Sequence, residues 1–166
     1  MGFEAVTVAD ALPALDVLLA EHGAVLLGAA RLICLDEEEA QDVVQTTFEI
    51  ALRRGHTLRD RSALRGWLLA IEAREATRRV RLMRRAIPFR PQLHDLPVHG
   101  PGHDERLALK EGLRVLPRGA RVAIVLHYLV GYSVRETAEA LSVTENTIKT
   151  QLRRGLARLR EELRDE

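Results

Sequence analysis

The stretch that most constrains this chain is residues 133–154, because it specifies two short helices and the turn between them. Ser133 and Glu136 have the spacing of a capping box, in which a hydroxyl caps the helix and a carboxylate three positions later returns a bond. Residues 142–143 form a tight corner, and Thr144 caps the second helix. Two helices joined by so short a turn make a helix-turn-helix, whose second helix enters the DNA major groove.

The second of these helices has an apolar stripe and a polar face on roughly opposite sides. The polar side chains can hydrogen-bond base edges and phosphates. For a single amphipathic helix, the alternative is that this face is simply exposed to solvent. The capped helix before it and the tight turn at residues 142–143 favour DNA binding. The apolar stripe consists of Ile148, Leu152, Leu156, Leu159 and Leu163. The polar face consists of Asn146, Thr150, Arg153 and Arg154, with Lys149 on its flank.

The composition predicts an all-α fold. Aromatic residues make up 4% of the 166 residues and charged residues 30%, and few segments alternate with period two. No apolar run reaches membrane-spanning length, and the amino terminus lacks a signal-peptide pattern, so we expect a cytoplasmic protein without membrane insertion. The single cysteine, Cys34, lies in an apolar helical stretch and is interpreted as a core residue.

A proline-rich segment divides the chain. Its four prolines exclude a helix, so residues 87–103 are predicted to be a linker between a helical domain at 8–86 and a four-helix domain at 104–166. The histidines of this segment match no closed metal-ligand spacing, and we predict no metal site. The prolines are Pro88, Pro91, Pro97 and Pro101, and the histidines are His94, His99 and His103.

The first domain is predicted to hold a long apolar helix at 8–34, or two helices broken near Gly23, followed by a helix at 37–54 capped by Asp36. The second helix has an apolar side and an acidic side. From the helical periodicity alone, we expect the acidic side to be exposed to solvent and predict no binding partner for it. The apolar side consists of Ala40, Val44, Phe48 and Ala51. The acidic side consists of Glu38, Asp42, Gln45 and Glu49.

A third helix, predicted at 63–85 and capped by Ser62, also has two opposed stripes. Four stepped arginines weaken an isolated helix, so we expect a counter-charge, which a phosphate backbone supplies. Trp67, at the head of this stripe, either stacks on an unpaired base or packs in the core. The apolar stripe is Leu69, Ala73, Ala76, Val80 and Met83. The other is Trp67, Ile71, Arg74, Arg78, Arg81 and Arg85.

Charge is unevenly distributed. Residues 1–52 hold one arginine and ten acidic residues, whereas residues 53–90 hold twelve arginines and three acidic residues. This asymmetry predicts one acidic partner surface and one surface for a polyanion.

The last domain is predicted to begin with a helix at 104–116, with Pro117 in the first turn of the next helix. That next helix is apolar nearly all round and should be buried until Gly131 ends it. Its apolar residues are Val122, Ile124, Val125, Leu126, Leu129 and Val130.

Three segments together resemble a bacterial RNA polymerase sigma factor of the extracytoplasmic-function class of the sigma-70 family. EEEAQDVVQTTFEIAL resembles the segment that docks on the clamp of core polymerase. LRGWLLAIEAREATRRVRLMRR resembles the promoter-melting and −10 recognition helix. LPRGARVAIVLHYLVGYSVRETAEALSVTENTIKTQLRRGLARLREEL resembles the −35 recognition domain, and the match covers roughly residues 15–164.

The resemblance implies a factor that binds core RNA polymerase and promoter DNA, that is held by an anti-sigma protein, and that needs no cofactor and has no catalytic residues. The docking residues it implies are Glu38, Asp42, Gln45 and Glu49. The −10 and melting residues are Arg59, Arg61, Ser62, Arg65, Trp67, Arg74, Arg78, Arg81 and Arg85. The −35 residues are Thr144, Asn146, Thr147, Lys149, Thr150, Arg153 and Arg154.

The sequence departs from the family pattern at a few positions. In the promoter-melting helix, the usual Ala-Arg-Asn is replaced by Glu72-Ala73-Arg74, and Arg78 stands where the family commonly has Asp or Asn. In the helix-turn-helix, Ser142 replaces a frequent turn glycine and Gln151 replaces a frequent arginine. The alternative to a sigma factor is a freestanding helix-turn-helix regulator, dimeric through the end of its last helix, which would leave the acidic face and the arginine stripe without a role. No motif supports an enzyme.

Overall fold

The computed structural model of this chain describes residues 12–86 and 103–162. These residues form α-helices joined by short turns and contain no strand, which confirms the all-α prediction. The helices are α1 (Leu15–Cys34), α2 (Glu37–Arg54), α3 (Leu64–Ala86), α4 (His103–Arg114), α5 (Arg118–Ile124), α6 (Val134–Leu141) and α7 (Glu145–Glu162).

Helices α1, α2 and α3 pack on one another and form the first half of the core. Helix α2 has the predicted bounds, and its cap is as predicted, because the Asp36 carboxylate accepts a hydrogen bond from the Glu39 amide at 2.9 Å. Helix α1 is not broken near Gly23. It ends at Leu35, a residue in the left-handed region whose amide donates to the Arg31 carbonyl at 2.9 Å.

Two details of this half differ from the sequence prediction. Val43 is fully buried and Val44 only partly, because α2 packs against both α1 and α3 and so buries a wider face than one stripe. Ser62 does not cap α3. A 3-10 turn, Arg61–Ala63, precedes that helix, and Asp60 caps the turn by accepting bonds from both the Ser62 amide and its hydroxyl.

Helix α1 is long and apolar enough, by length and composition, to cross a membrane, so the expectation that no stretch meets that criterion was wrong. In this fold α1 is a packing element. Leu18, Leu26 and Ile33 are fully buried against the neighbouring helices. A helix whose apolar side chains are buried in a protein core meets the same criterion of length and apolar composition as a helix that crosses a membrane. Cys34 follows them, half-buried as expected of a core residue, and burial raises the pKa of its thiol to about 12.

The helix-turn-helix forms as predicted. The Ser133 hydroxyl accepts from the Glu136 amide at 3.1 Å, and the Glu136 carboxylate accepts from the Ser133 amide at 2.8 Å. Ser142 turns the corner with a φ of 55°, a conformation that glycine adopts more readily, which accounts for the usual glycine here. Thr144 caps α7 by accepting from the Thr147 amide at 3.2 Å.

The helix before this motif is less regular than predicted. Pro117 caps α5 from the preceding position instead of lying in its first turn. The chain then continues as a π-helical turn, Val125–Leu129, until Gly131 at a φ of +91°. This extra residue in the turn rotates Leu129 outward, and its side chain is 47% exposed rather than buried.

The two halves of the chain share one apolar core, which runs from α1–α3 to α5–α7. Side-chain bonds to main-chain carbonyls also join them. Arg121 of α5 donates to the Ile33 carbonyl at 3.0 Å, and Tyr132 donates to the Gly66 carbonyl at 2.6 Å. Arg74 of α3 donates to the Ala140 carbonyl at 2.5 Å. Residues 87–102, which hold most of the predicted linker with His94 and His99, lie outside the described residues, as do residues 8–11 and Leu163.

One carboxyl group is buried in this core. The Glu72 side chain is 1% exposed, and its Oε1 accepts no hydrogen bond from the described residues. Burial disfavours the carboxylate and raises the pKa of Glu72 to about 9 from the ordinary value of 4.5. Glu72 therefore carries a proton in the folded protein at neutral pH.

We predict that Glu72 makes the folded protein less stable as the pH rises. Between the unfolded pKa of 4.5 and the folded pKa of about 9, the folded state binds one more proton than the unfolded state, so the free energy of unfolding falls with pH. This slope is at most about 1.4 kcal/mol per pH unit. Glu72→Gln, which keeps the shape and removes the titration, should flatten it. Urea unfolding between pH 5 and 8 measures the slope, and equal slopes for both proteins would contradict the assignment.

Candidate nucleic-acid interface

The acidic face of α2 is solvent-exposed along its length. Glu38, Asp42, Gln45 and Glu49 are all exposed, as the helical spacing predicts. Three of these side chains form hydrogen bonds. The Gln45 amide donates to the Glu49 carboxylate at 3.1 Å, and the Asp42 carboxylate accepts from Arg79 of α3 at 2.9 Å. The face therefore has a fixed shape, with its charge held along one side of the helix.

Arg79 joins α2 to α3. Its guanidinium lies 2.9 Å from the Asp42 carboxylate, 3.2 Å from Glu39 and 3.6 Å from Glu75. Glu75 itself is 6% exposed and needs these cations, because an unpaired buried carboxylate is costly. Arg79 belongs to neither predicted stripe of α3, and only the packing of the two helices shows its role.

The arginine stripe of α3 is already partnered where the structure describes it. Arg78 donates to the Glu75 carboxylate at 2.5 and 3.0 Å, so a neighbouring residue provides the counter-charge that we had assigned to phosphate. Arg74 donates to the Ala140 and Glu139 carbonyls of α6. The side chains of Arg81 and Arg85 lie outside the described part of the structure.

A cavity of about 420 Å³ lies at the head of this stripe. Trp67 is half-buried, packs against the core and lines the cavity, which confirms the core-packing interpretation, and its stacking on an unpaired base stays a prediction. A smaller cavity of about 170 Å³ shares Arg54, Ile71 and Arg74 with the first, and the two form a groove between α2 and α3. With Arg78 at its far end, this α2–α3 groove presents guanidinium groups and an aromatic ring, which are the groups that hold single-stranded nucleic acid.

Sequence reasoning missed three residues of this cavity, Arg54, His56 and Thr57. Arg54 is the last residue of α2, and His56 and Thr57 lie in the 3-10 turn, Gly55–Thr57, that follows it. Gly55 lets this turn pack closely on Leu12, because a Cβ at position 55 would lie 2.5 Å from the Leu12 side chain. The signal available in the sequence was a glycine directly after two arginines at a helix end.

The loop residues that were predicted instead, Arg59, Arg61, Ser62 and Arg65, are exposed but do not line the cavity. Among them, Ser62 hydrogen-bonds through its amide and its hydroxyl to Asp60. Asp60, between them, accepts from Ser62, and these bonds lower the pKa of the Asp60 carboxyl.

The outer face of α7 has the exposure that DNA recognition requires. Thr144, Asn146, Thr147, Lys149, Arg153 and Arg154 are exposed, and Thr150 is half-exposed. The opposite side of α7 packs inward through Ile148 and Leu152. Gly155 lets α7 approach α5 closely, since a Cβ there would lie 2.6 Å from Ile124.

Within residues 12–86 and 103–162 no group of His, Cys, Asp and Glu side chains is arranged to hold a metal ion.

Comparison with known proteins gives two family matches. Sigma-70 region 2 matches residues 18–86, and Sigma-70 region 4 matches residues 106–159. The chain is 33% identical over 140 residues to the RNA polymerase sigma-E factor of Streptomyces coelicolor, which covers 83% of this chain and 79% of the relative. It is 32% identical over 148 residues to the ECF RNA polymerase sigma factor SigM of Mycobacterium tuberculosis, covering 88% of this chain and 75% of SigM.

The solved structures of similar fold include those of RpoE and CnrH. The sigma factor RpoE of Bartonella quintana, solved in complex with the anti-sigma factor NepR, superimposes with a TM-score of 0.76 at 25% identity and covers 90% of this chain and 96% of RpoE. CnrH, solved with the cytosolic domain of CnrY, gives a TM-score of 0.65 at 26% identity over 91% of this chain and 88% of CnrH.

We predict that Arg79→Gln destabilises the fold by roughly 1–2 kcal/mol, because the buried Glu75, the partly buried Glu39 and the exposed Asp42 lose their shared donor. Arg135→Gln is the matched control, since Arg135 forms only an exposed pair with Glu139 one helical turn away and its loss should not change stability measurably. Urea denaturation of both variants measures the difference. Equal stabilities would show that Arg79 does not hold α2 to α3.

Proposed function

Because this chain belongs to the sigma-70 family and is a sigma factor of its extracytoplasmic-function class, which directs core RNA polymerase to promoters, we propose roles for its surfaces in that process. Three surfaces carry the proposal: the acidic face of α2, the α2–α3 groove and the outer face of α7. The single most informative observation is the groove, in which arginines surround the half-buried Trp67. An initiation factor of this kind works in the cytoplasm and performs no catalysis of its own.

The acidic face of α2 docks on the clamp of core polymerase. Its exposed carboxylates, at Glu38, Asp42 and Glu49, lie along one side of a helix whose other side is fixed in the core. A rigid charged helix loses little conformational entropy on binding, and its charge steers association with a basic partner.

The α2–α3 groove takes the melted −10 strand. Unstacking a base costs a few kcal/mol, and stacking on an aromatic ring returns about 1–3 kcal/mol per base. Trp67 provides the ring, while Arg54 and Arg74 provide charge for the flanking phosphates. Binding energy therefore drives strand separation, without nucleotide hydrolysis. We assign the exposed loop residues Arg59, Arg61, Ser62 and Arg65, and the stripe residue Arg78, to the same strand. For Arg81 and Arg85 this role is a prediction from the sequence alone.

The outer face of α7 reads the −35 element. Arg153 and Arg154 make no ion pair with the described residues, so they are available to phosphates and bases. Lys149 lies 3.7 Å from Glu145, a weak exposed pair that DNA can replace. Thr144, Asn146, Thr147 and Thr150 add neutral hydrogen-bonding groups on the same face.

A freestanding helix-turn-helix regulator is no longer a viable alternative. Such a protein needs only the last four helices, whereas Sigma-70 region 2 matches residues 18–86 as well. An anti-sigma protein is the natural regulator of this factor, because both structurally similar sigma factors were solved with one or with a partner domain bound.

The direct test is reconstitution of the purified chain with core polymerase on DNA from upstream of its own gene. We predict start-site-specific transcripts from the pair and none from core polymerase alone. Glu38→Lys, which reverses charge on the docking face, should weaken the binding of core polymerase at least about tenfold, whereas Glu21→Lys, at an exposed position of α1, should leave it unchanged. Wild-type protein that does not bind core polymerase would refute the proposed function.

A second experiment tests the α7 face without knowledge of the promoter. We expect Arg154→Ala to weaken binding to a mixed-sequence duplex and to reduce the salt slope of log K by about 0.9, the value for one lost phosphate contact. Arg53→Ala, which removes the same charge at an exposed position on α2, away from α7, is the control. Fluorescence anisotropy between 50 and 200 mM salt gives both slopes, and identical slopes would remove Arg154 from the interface.

A further inference from the structure

The larger cavity of the α2–α3 groove is lined mainly by hydrogen-bond donors where its lining is polar. None of the residues that line it carries a carboxylate or a carboxamide. The guanidinium groups of Arg54 and Arg74 only donate. The Thr57 hydroxyl has already used its hydrogen, because it donates to the Arg54 carbonyl at 2.8 Å. A ligand in this cavity therefore meets positive donors and has to supply acceptors.

The two guanidinium groups of this cavity differ in how they are held. Arg54, the last residue of α2, is exposed, and its side chain forms no hydrogen bond or ion pair with the described residues. Arg74 is held against α6, because its Nε and Nη2 donate to the Ala140 and Glu139 carbonyls. Arg74 therefore contributes a fixed charge to the cavity, whereas Arg54 can turn its planar fork of N–H groups toward a ligand.

A carboxylate of the smaller cavity is already occupied. Glu75 is the one acidic residue among the described residues that line the two cavities, and it is 6% exposed. Its two oxygens accept from Arg78 at 2.5 and 3.0 Å, and it lies 3.6 Å from Arg79. A carboxylate accepts from the amino group of cytosine when it reads a base. Because both oxygens of Glu75 bind arginine, the groove does not provide this acceptor.

The chemistry of the bases decides which of them fits a cavity of donors. Guanine has two acceptors side by side, O6 and N7, and arginine binding to both is the commonest specific contact between proteins and bases. On the same edge adenine and cytosine present an amino group, and thymine presents one oxygen beside its methyl group. A guanidinium that faces any of these three bases loses one of the two bonds that it makes to guanine.

We infer that the larger cavity is a guanine-selective subsite of the α2–α3 groove and that Arg54 is its specificity-determining residue. Its volume of about 420 Å³ lies within the range of small-ligand pockets, about 300–1,000 Å³. The base stacks on Trp67 and accepts from Arg54 at O6 and N7. The charges of Arg54 and Arg74 offset the flanking phosphates. The inference rests on the proposed function, since it presumes that the groove takes a base of the melted −10 strand.

The probes are dye-labelled single strands of about ten nucleotides, all thymidine except for one central position, within the length range of single-strand binding sites. The central base is guanine, adenine, cytosine, thymine or 7-deazaguanine, in which a C–H group replaces N7. By fluorescence anisotropy, the full chain should bind the guanine strand at least about fivefold more tightly than the adenine, cytosine and thymine strands. The 7-deazaguanine strand should bind about three- to tenfold more weakly than the guanine strand, because one of the two acceptors is lost.

Arg54→Gln tests the assignment of the residue. A glutamine side chain pairs with adenine at N6 and N7, so the ratio of guanine to adenine affinity should fall to about one or below. Arg53→Gln is the matched control, because Arg53 is the neighbouring exposed arginine of α2, loses the same charge and lines neither cavity. This control should weaken all strands by the same factor and keep the preference for guanine.

Three results would overturn the guanine subsite. They are equal binding of all strands by the wild-type chain, no binding of the guanine strand, and a wild-type ratio of guanine to adenine affinity in Arg54→Gln. The last result would assign Arg54 to phosphate alone. Transcription by the wild-type chain with core polymerase is measured in parallel, so start-site-specific transcripts would leave the sigma-factor function standing after any of these results.

Discussion

The structure depends on side-chain donors that reach across the molecule to main-chain carbonyls. Arg121 satisfies the end of α1, Arg74 satisfies the end of α6, and Tyr132 bonds the start of α3. The apolar core that surrounds them provides most of the stabilising free energy, but apolar contact is not directional and does not fix one arrangement. Charge-assisted bonds to carbonyls are directional and stronger than neutral ones. They therefore select the particular packing of the first three helices against the last four.

This arrangement explains how a small protein with a net charge of +1 can serve three partners. Acidic residues are concentrated on α2 and arginines on and beside α3, and Arg79 joins the two helices by pairing with carboxylates of both. The ion pairs of Arg79, which stabilise the fold, therefore lie next to the charged side chains that face solvent on α2 and α3. Glu75 also holds Arg78 by an ion pair, so the α2–α3 groove keeps that guanidinium in a fixed position.

Much of this fold follows from local sequence. The Asp36 cap, the Ser133–Glu136 capping box and the inward packing of Ile148 and Leu152 on α7 depend on residues three or four positions apart, and each formed as predicted. The failures share another cause. Ser62, Leu129 and the counter-charge of Arg78 were misassigned because a turn geometry or a partner residue outweighed the helical pattern. The carbonyl bonds of Arg74 could not be predicted, because any residue at positions 139–140 offers the same acceptor. The roles of the docking and DNA-facing residues remain proposals.

The most direct test of the account follows the distance between the two halves during initiation. A full chain with donor and acceptor dyes at exposed positions 52 and 157 is measured free, with core polymerase, and with core polymerase on a promoter fragment. The account predicts high energy transfer in the free chain and its loss in the promoter complex, because α3 and α7 must then reach two elements roughly 25 base pairs, or about 85 Å, apart along the duplex. High transfer that persists in a transcribing complex would contradict it, since the closed packing would then be the active form.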